Sequence, residues 1–173
     1  MTTTRTAAHE EAQAQVLGEL RRLRARLPQL TGALAASADG LVLAHDTGGG
    51  GSTAEGVAAL TAAALGVAQR LTDATGQGGF RELLVRGEEG YVATYAAGSS
   101  AVLTLLAEPR VNVGRLHLEA RRSSARIGSV VDAALVPQQR PPARPPIPPR
   151  PSHTPPSPTP PPPTPPSQTP KEA

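Results

Sequence analysis

The chain has 173 residues, enough for one domain and an appendage. It has no cysteine, which excludes disulfides, thiolate metal sites and a cysteine nucleophile together. With only Phe80, Tyr91 and Tyr95 as aromatics, any core must be aliphatic. Residues 1–136 hold 13 Arg and 13 Asp/Glu, so the net charge of +3 belongs to the remainder, and the folded part offers no basic, aromatic-laced patch for nucleic acid.

The opening residues carry Glu10 and Glu11 and no apolar stretch, unlike a signal peptide. No run approaches the roughly 18 apolar residues of a membrane span. The expectation is a cytoplasmic protein without direct membrane insertion, any recruitment to a membrane being left to partners. Sixteen Arg against one Lys, with abundant Ala, Gly and Pro, points to a GC-rich bacterial genome.

In chain order, residues 1–7 are expected to be disordered, and a first helix is predicted over about 8–27. There Val16, Leu20, Leu23 and Leu27 recur at helical spacing, with Pro28 as the stop. Two short apolar runs, 31–37 and 41–46, flank Ala38-Asp39-Gly40 and predict a hairpin, because glycine accepts positive φ in a tight turn. A glycine-rich loop, TGGGGST, leads to a second helix. Ser52 and Glu55 are spaced as a capping box, Val57, Leu60, Ala64, Val67 and Leu71 form its expected buried stripe, and Gly76 is its C′ residue. Its flank of Ala59, Ala62, Ala63 and Gly66 is small enough for another helix to approach closely. Three strands follow, over about 80–86, 91–97 and 101–107, separated by turn signals. A last helix over about 112–135 places Val113, Leu116, Ala120, Ile127, Val131 and Ala134 on one face. Arg115, Glu119, Arg122 and Arg126 lie opposite and read as a solvated stripe with mutual ion pairs. From Pro137 onward, 18 of 37 residues are proline. Such a segment buries too little apolar surface to fold and reads as a disordered, polyproline-II-biased tail.

The order helix–strand–strand–helix–three strands–helix describes an α+β domain, an antiparallel sheet sandwiched by helices. The domain spans 1–136 and the tail 137–173.

Candidate chemistry is sparse. Asp39 sits at the hairpin tip, while His45 and Asp46 sit at the far strand end and point to opposite faces. At about 3.3 Å per residue, Asp39 and His45 are roughly 20 Å apart, too far to share a reaction. His9, His45, His117 and His153 are scattered over different elements, and His117 and Glu119 face differently on one helix. The glycine-rich loop lacks the lysine of a phosphate-binding loop. The expectation is therefore no catalytic residues, no cofactor and no metal. In the tail, Pro145, Pro148 and Arg150 fit P-x-x-P-x-R, a ligand for an aromatic groove, in a segment dense enough in proline to match by chance.

Attention moves to surfaces. The segment GGFRELLVRG opens a meander and follows the small-faced helix, so it is a candidate edge strand. Two copies pairing across a two-fold axis would bring together Ala59, Ala62, Ala63 and Gly66 with Phe80, Glu82 and Leu84.

The hairpin GALAASADGLVLAHD, the helix EGVAALTAAALGVAQRL, the strand pair GYVATYAAGSSAVLTLLA and the closing NVGRLHLEARRSSARIGSVV resemble a Roadblock-type domain (the dynein light chain Roadblock family) over about Leu27 to Leu135. Ser37, Asp39, Gly40, Leu41 and Val42 carry the most specific piece. The resemblance implies a five-stranded antiparallel sheet in the Roadblock/profilin-like arrangement, with one helix on one face and two on the other. It also implies a homodimer through the third strand and middle helix, and a non-enzymatic scaffold or regulator for a small Ras-like GTPase, in bacteria one associated with a sensor-kinase-like protein. The proline tail departs from the family. An adaptor working mainly through that tail, with the domain serving to dimerise it, is the alternative.

Overall fold

The computed structural model describes residues 2–47 and 53–135. The tail with Pro145, Pro148 and Arg150, the sequence-predicted disorder there, and Ser52 lie outside the described residues. Helix α1 spans Thr2–Arg26. It starts six residues earlier than predicted, so residues 2–7, expected to be disordered, are helical; nothing among them is proline or glycine. Its expected stripe holds: Val16, Leu20, Leu23 and Leu27 are all buried.

Strands β1 (Leu30–Ser37) and β2 (Val42–Thr47) form the predicted hairpin. Gly40 turns it with a φ of 92°, donating its N–H to the Ser37 carbonyl at 3.0 Å. The Ser37 hydroxyl closes the turn, accepting the Leu41 N–H at 3.0 Å and donating to the Asp39 carboxylate.

Helix α2 spans Ala54–Ala74. Its cap is Thr53, whose hydroxyl accepts the Gly56 N–H at 3.1 Å. The position three residues on is a glycine, so the capping box expected of Ser52 and Glu55 does not start this helix. The C-terminal end follows expectation: Gly76 donates to the Asp73 carbonyl and Gln77 to the Thr72 carbonyl, the paired bonds of a Schellman ending.

Strands β3 (Glu82–Arg86), β4 (Tyr91–Ala97) and β5 (Ala101–Ala107) and helix α3 (Val113–Leu135) complete the chain. Asn112 caps α3, its side-chain oxygen accepting the Arg115 N–H at 2.9 Å. The five strands form one antiparallel sheet in the order β2-β1-β5-β4-β3, with β2 and β3 at its edges.

Alternation along the strands separates two cores. On one face α1 and α3 cover Ala35, Tyr95, Leu103 and Leu105, with Leu20, Leu23, Leu116 and Ile127 among the buried helical residues. On the other, α2 covers Leu34, Ala36 and Val102 with Ala54, Ala58 and Leu65. One helix on one face and two on the other is the arrangement the family resemblance implied.

The stripe expected inside α2 is only partly buried: Val57 and Ala64 are half-buried, Val57 packing against the smaller core, but the rest turns outward. Ala54, Ala58, Thr61 and Leu65 face the sheet, whereas Leu60, Val67 and Leu71 are 74%, 68% and 63% exposed. The reason is close approach. The hairpin turn presses against the helix, and a methyl on Gly40 would lie 3.3 Å from the Ala62 side chain and 3.5 Å from the Ala59 Cα. Only small residues fit such a contact, which turns the larger aliphatics outward. Thr61 bonds Thr104 at 3.2 Å, and Thr104 bonds Thr94 at 3.3 Å, a buried hydroxyl chain that ties α2 to the sheet.

The charged residues of α3 do more than ring a solvated face. Arg122 pairs with Glu119 within α3 as expected, but Glu119 also takes Arg26 of α1 at 2.8 Å, and Arg126 reaches Glu19 of α1 at 3.4 Å. Glu19 is buried and accepts from Ser123 at 2.7 Å and Arg26 at 3.2 Å. Burial alone would raise its pKa, but the bonds from Ser123 and Arg26 and the charge of Arg126 outweigh it and hold the carboxyl below its ordinary value. At the other end α3 meets the β4–β5 turn through backbone: a Cβ on Gly128 would come within 2.7 Å of the Gly98 Cα and 2.8 Å of the Ala97 carbonyl carbon.

Candidate docking surface at the β3 edge and the outer face of α2

The two sheet edges differ in how they are finished. Along β2 a bulge breaks the register between Ala35 and Ala36, and Arg24 donates to the Asp46 carbonyl at 3.3 Å while pairing with its carboxylate at 2.9 Å. Bulges and charge on an edge discourage further pairing. Along β3 the ladder phase is set by two bonds: Gly87 N–H to the Gly90 carbonyl, and Ala96 N–H to the Arg81 carbonyl. Because an antiparallel ladder bonds alternate residues, Leu83 and Val85 bond to β4. Glu82, Leu84 and Arg86 then turn their N–H and C=O groups to the free edge.

Side chains on β3 divide with the pleat. Glu82 faces α3, where Arg121 grips its carboxylate with two bonds of 2.8 Å. Arg121 first, then the His117 ring 3.6 Å away, hold the Glu82 carboxyl below its ordinary value against the opposing effect of burial. His117 Nδ1 lies 2.8 Å from the hydroxyl of Tyr95, whose pKa burial pushes upward. Leu84 is half-buried against the larger core, and Arg86 lies over the Tyr91 ring. On the opposite face Val85, half exposed, and Val92 across from it form bare apolar sheet, since α2 packs over β1 and β2.

The sequence-predicted interface residues are therefore divided. Ala59, Ala63 and Gly66 are exposed on the outer side of α2, with open space beside Gly66. Ala62 is half-buried beneath the Gly40 turn, and Phe80 packs against the smaller core. Glu82 and Leu84 direct their side chains to the α1/α3 side, so what they offer an edge partner is backbone. Leu60, Val67 and Leu71 were missed as surface. The signal for them was present, since α2 is apolar on more than one side and a helix covered by a single sheet needs only one.

The candidate chemical residues stay apart. Asp39 is held in the turn by Ser37, Asp46 is paired with Arg24, and His45 is exposed on the opposite face of the sheet from Asp46. His9 is exposed on α1, while His117 turns to Tyr95 and Glu119 to Arg26. Among the described residues no three His, Asp or Glu side chains gather to hold a metal, and no helix is long and apolar enough to cross a membrane. What the arrangement can do is associate: it has an open strand edge at β3 and, separately, an exposed apolar stripe on α2.

Comparison with known proteins agrees with this geometry. An uncharacterized protein of Methanocaldococcus jannaschii is 31% identical over 102 residues, spanning 59% of this chain and 85% of its own length. Among solved structures, MglB in a tetrameric arrangement superposes with a TM-score of 0.67 at 21% identity, over 71% of this chain and 92% of its own. A Streptomyces avermitilis Roadblock/LC7 domain does so with a TM-score of 0.61 at 24% identity, over 69% and 97%. The family model for the Roadblock/LC7 domain matches residues 16–107, from the middle of α1 to the end of β5. With more than half of the sequence matched and every element of the fold in place, the chain belongs to the Roadblock/LC7 domain family.

Proposed function

We propose that this chain is a non-enzymatic, homodimeric scaffold or regulator that docks a small Ras-like GTPase or an associated signalling complex. The observation that carries the reading is the unblocked edge of β3, flanked by the bare Val85 and Val92, together with the exposed Leu60, Val67 and Leu71 of α2. A surface with free backbone groups and an apolar flank is suited to protein association. Family membership supplies the partner class. One MglB structure of the same fold is described as tetrameric, so assembly occurs in a protein of this architecture. A second reading rests on Pro145, Pro148 and Arg150: an adaptor whose tail binds the partner while the domain dimerises it.

Immobilised full chain is offered purified Ras-like GTPases from its own genome, each loaded with GDP or a non-hydrolysable GTP analogue. Capture that survives deletion of 137–173 assigns binding to the domain, and capture lost with the deletion assigns it to the tail. Retention of no GTPase in either nucleotide state overturns the reading.

A further inference from the structure

We propose that the outer face of the α1/α3 layer binds an anionic membrane surface, as a peripheral contact made by arginines. Charge that balances along the sequence separates in the fold. Within residues 18–26 of α1 and 115–129 of α3 the only carboxylates are Glu19 and Glu119. Arg24 and Arg121 turn to the sheet edges, where Asp46 and Glu82 neutralise them. Arg21, Arg22, Arg26, Arg115, Arg122 and Arg126 remain on the outward side of the helix pair, an excess of four positive charges. Residues 1–136 sum to zero, so the rest of the domain carries the matching negative excess. Burial sharpens the separation. The side chains of Glu19 and Glu119 are 6% and 13% exposed, whereas Arg22, Arg122 and Arg126, which cover them, are 69%, 61% and 62% exposed. Each of these three guanidiniums gives the glutamates one long bond of 3.3–3.4 Å and keeps most of its five N–H donors for solvent. Such forks match phosphate oxygens two at a time.

The rest of the face selects a membrane among polyanions. Helices α1 and α3 contain no Phe, Tyr or Trp, on which a single strand of nucleic acid would stack. Duplex readers push one helix into a groove, whereas α1 and α3 lie side by side over the sheet. A protein partner is held by a cluster of buried anchors, and this face has one large exposed aliphatic, Leu118 of α3. A leucine among arginines, with the exposed Ala125 and Ser129 further along the same side of α3, suits the boundary between headgroups and acyl chains. Helix α2 packs across the sheet, so its exposed stripe stays open to a protein while this face adsorbs. The inference depends on neither the GTPase nor the dimer.

The full chain is floated with vesicles of phosphatidylcholine and phosphatidylglycerol in equal parts, and with vesicles of phosphatidylcholine alone, across a salt series. Binding is expected to the first alone and should fade as salt rises. A basic residue near such a surface is worth roughly fivefold in affinity, so Arg22→Gln with Arg122→Gln should bind about 30-fold more weakly. The same loss of charge elsewhere, Arg70→Gln with Arg81→Gln, should cost less than about threefold. Arg22→Lys with Arg122→Lys should recover most of the binding, and circular dichroism melts check that each variant is folded. Equal weakening by the two glutamine pairs, or none by either, assigns the binding to overall charge or to the tail and overturns the proposal. Equal binding to phosphatidylcholine alone, or no binding to either vesicle, overturns it as well. Polyglutamate or duplex DNA held more tightly than the vesicles through the same arginines gives the face to an acidic protein or to nucleic acid instead. None of these results bears on capture of a GTPase or on dimerisation, which are read separately.

Discussion

Leu60 and Leu65 lie five residues apart on α2 and should fail in opposite ways. Leu65 is buried against β1 and β5, so Leu65→Ala should destabilise the fold by about 2–5 kcal/mol. That is a large part of the roughly 5–15 kcal/mol that holds a domain together. Leu60 is 74% exposed, so Leu60→Ala should change the stability of a single chain by no more than about 0.5 kcal/mol. In a dimer that covers the outer face, each Leu60 would bury most of its surface. Full burial of a leucine is worth about 1.5–3 kcal/mol, so its loss should remove about 1–1.5 kcal/mol per copy. Two copies then give about 2–3 kcal/mol, a rise in dimer dissociation constant of roughly 30- to 150-fold. Urea unfolding at high dilution reads the first quantity, and sedimentation velocity across a concentration series reads the second. If Leu60→Ala unfolds the dilute chain as readily as Leu65→Ala, the assignment of the two faces is wrong. If its dissociation constant is unchanged, the stripe is not part of the interface.

Other perturbations test the fold that supports this surface. The carboxyls of Glu19 and Glu82 are both held below their ordinary value of 4.5, so the folded state favours their ionised forms. Their stabilisation should be complete above that value and lost as pH falls through the lowered folded pKa. Thermal melts should therefore drop steadily below about pH 4.5, and Glu19→Gln should flatten the profile. Gly128→Ala should force α3 off the β4–β5 turn. Overpacking costs about 1–3 kcal/mol and the helical gain of alanine returns at most about 1, so the melting temperature should fall by several degrees; an unchanged melt would mean that the contact is soft. Thr104→Val leaves the Thr61 and Thr94 hydroxyls buried without their shared partner, for a loss of about 1–3 kcal/mol in denaturant unfolding. An unchanged midpoint would mean that those hydroxyls find other partners.

Local chemistry made most of the elements legible without coordinates. The Val16–Leu27 stripe, the Asp-Gly turn, the Gly76 ending and the exact spans of β4 and β5 each depend on residues within one or two turns of chain. The edge position of β3 was legible too, because it opens a meander. The face of α2 was not. Its sequence carries two helical stripes, Val57-Leu60-Ala64-Val67-Leu71 and Ala54-Ala58-Thr61-Leu65, and ranking by side-chain size selects the first. The fold buries the second, because the β1–β2 turn comes so close that only alanines fit beneath it. The same holds for the charges of α3: spacing shows a stripe, but only the antiparallel contact with α1 reveals that Glu119 and Arg126 work across the seam. Local pattern therefore determined that α2 is a helix with apolar faces and a glycine ending. The distance of approach, a property of two elements far apart in sequence, decided which of its faces is left for a partner.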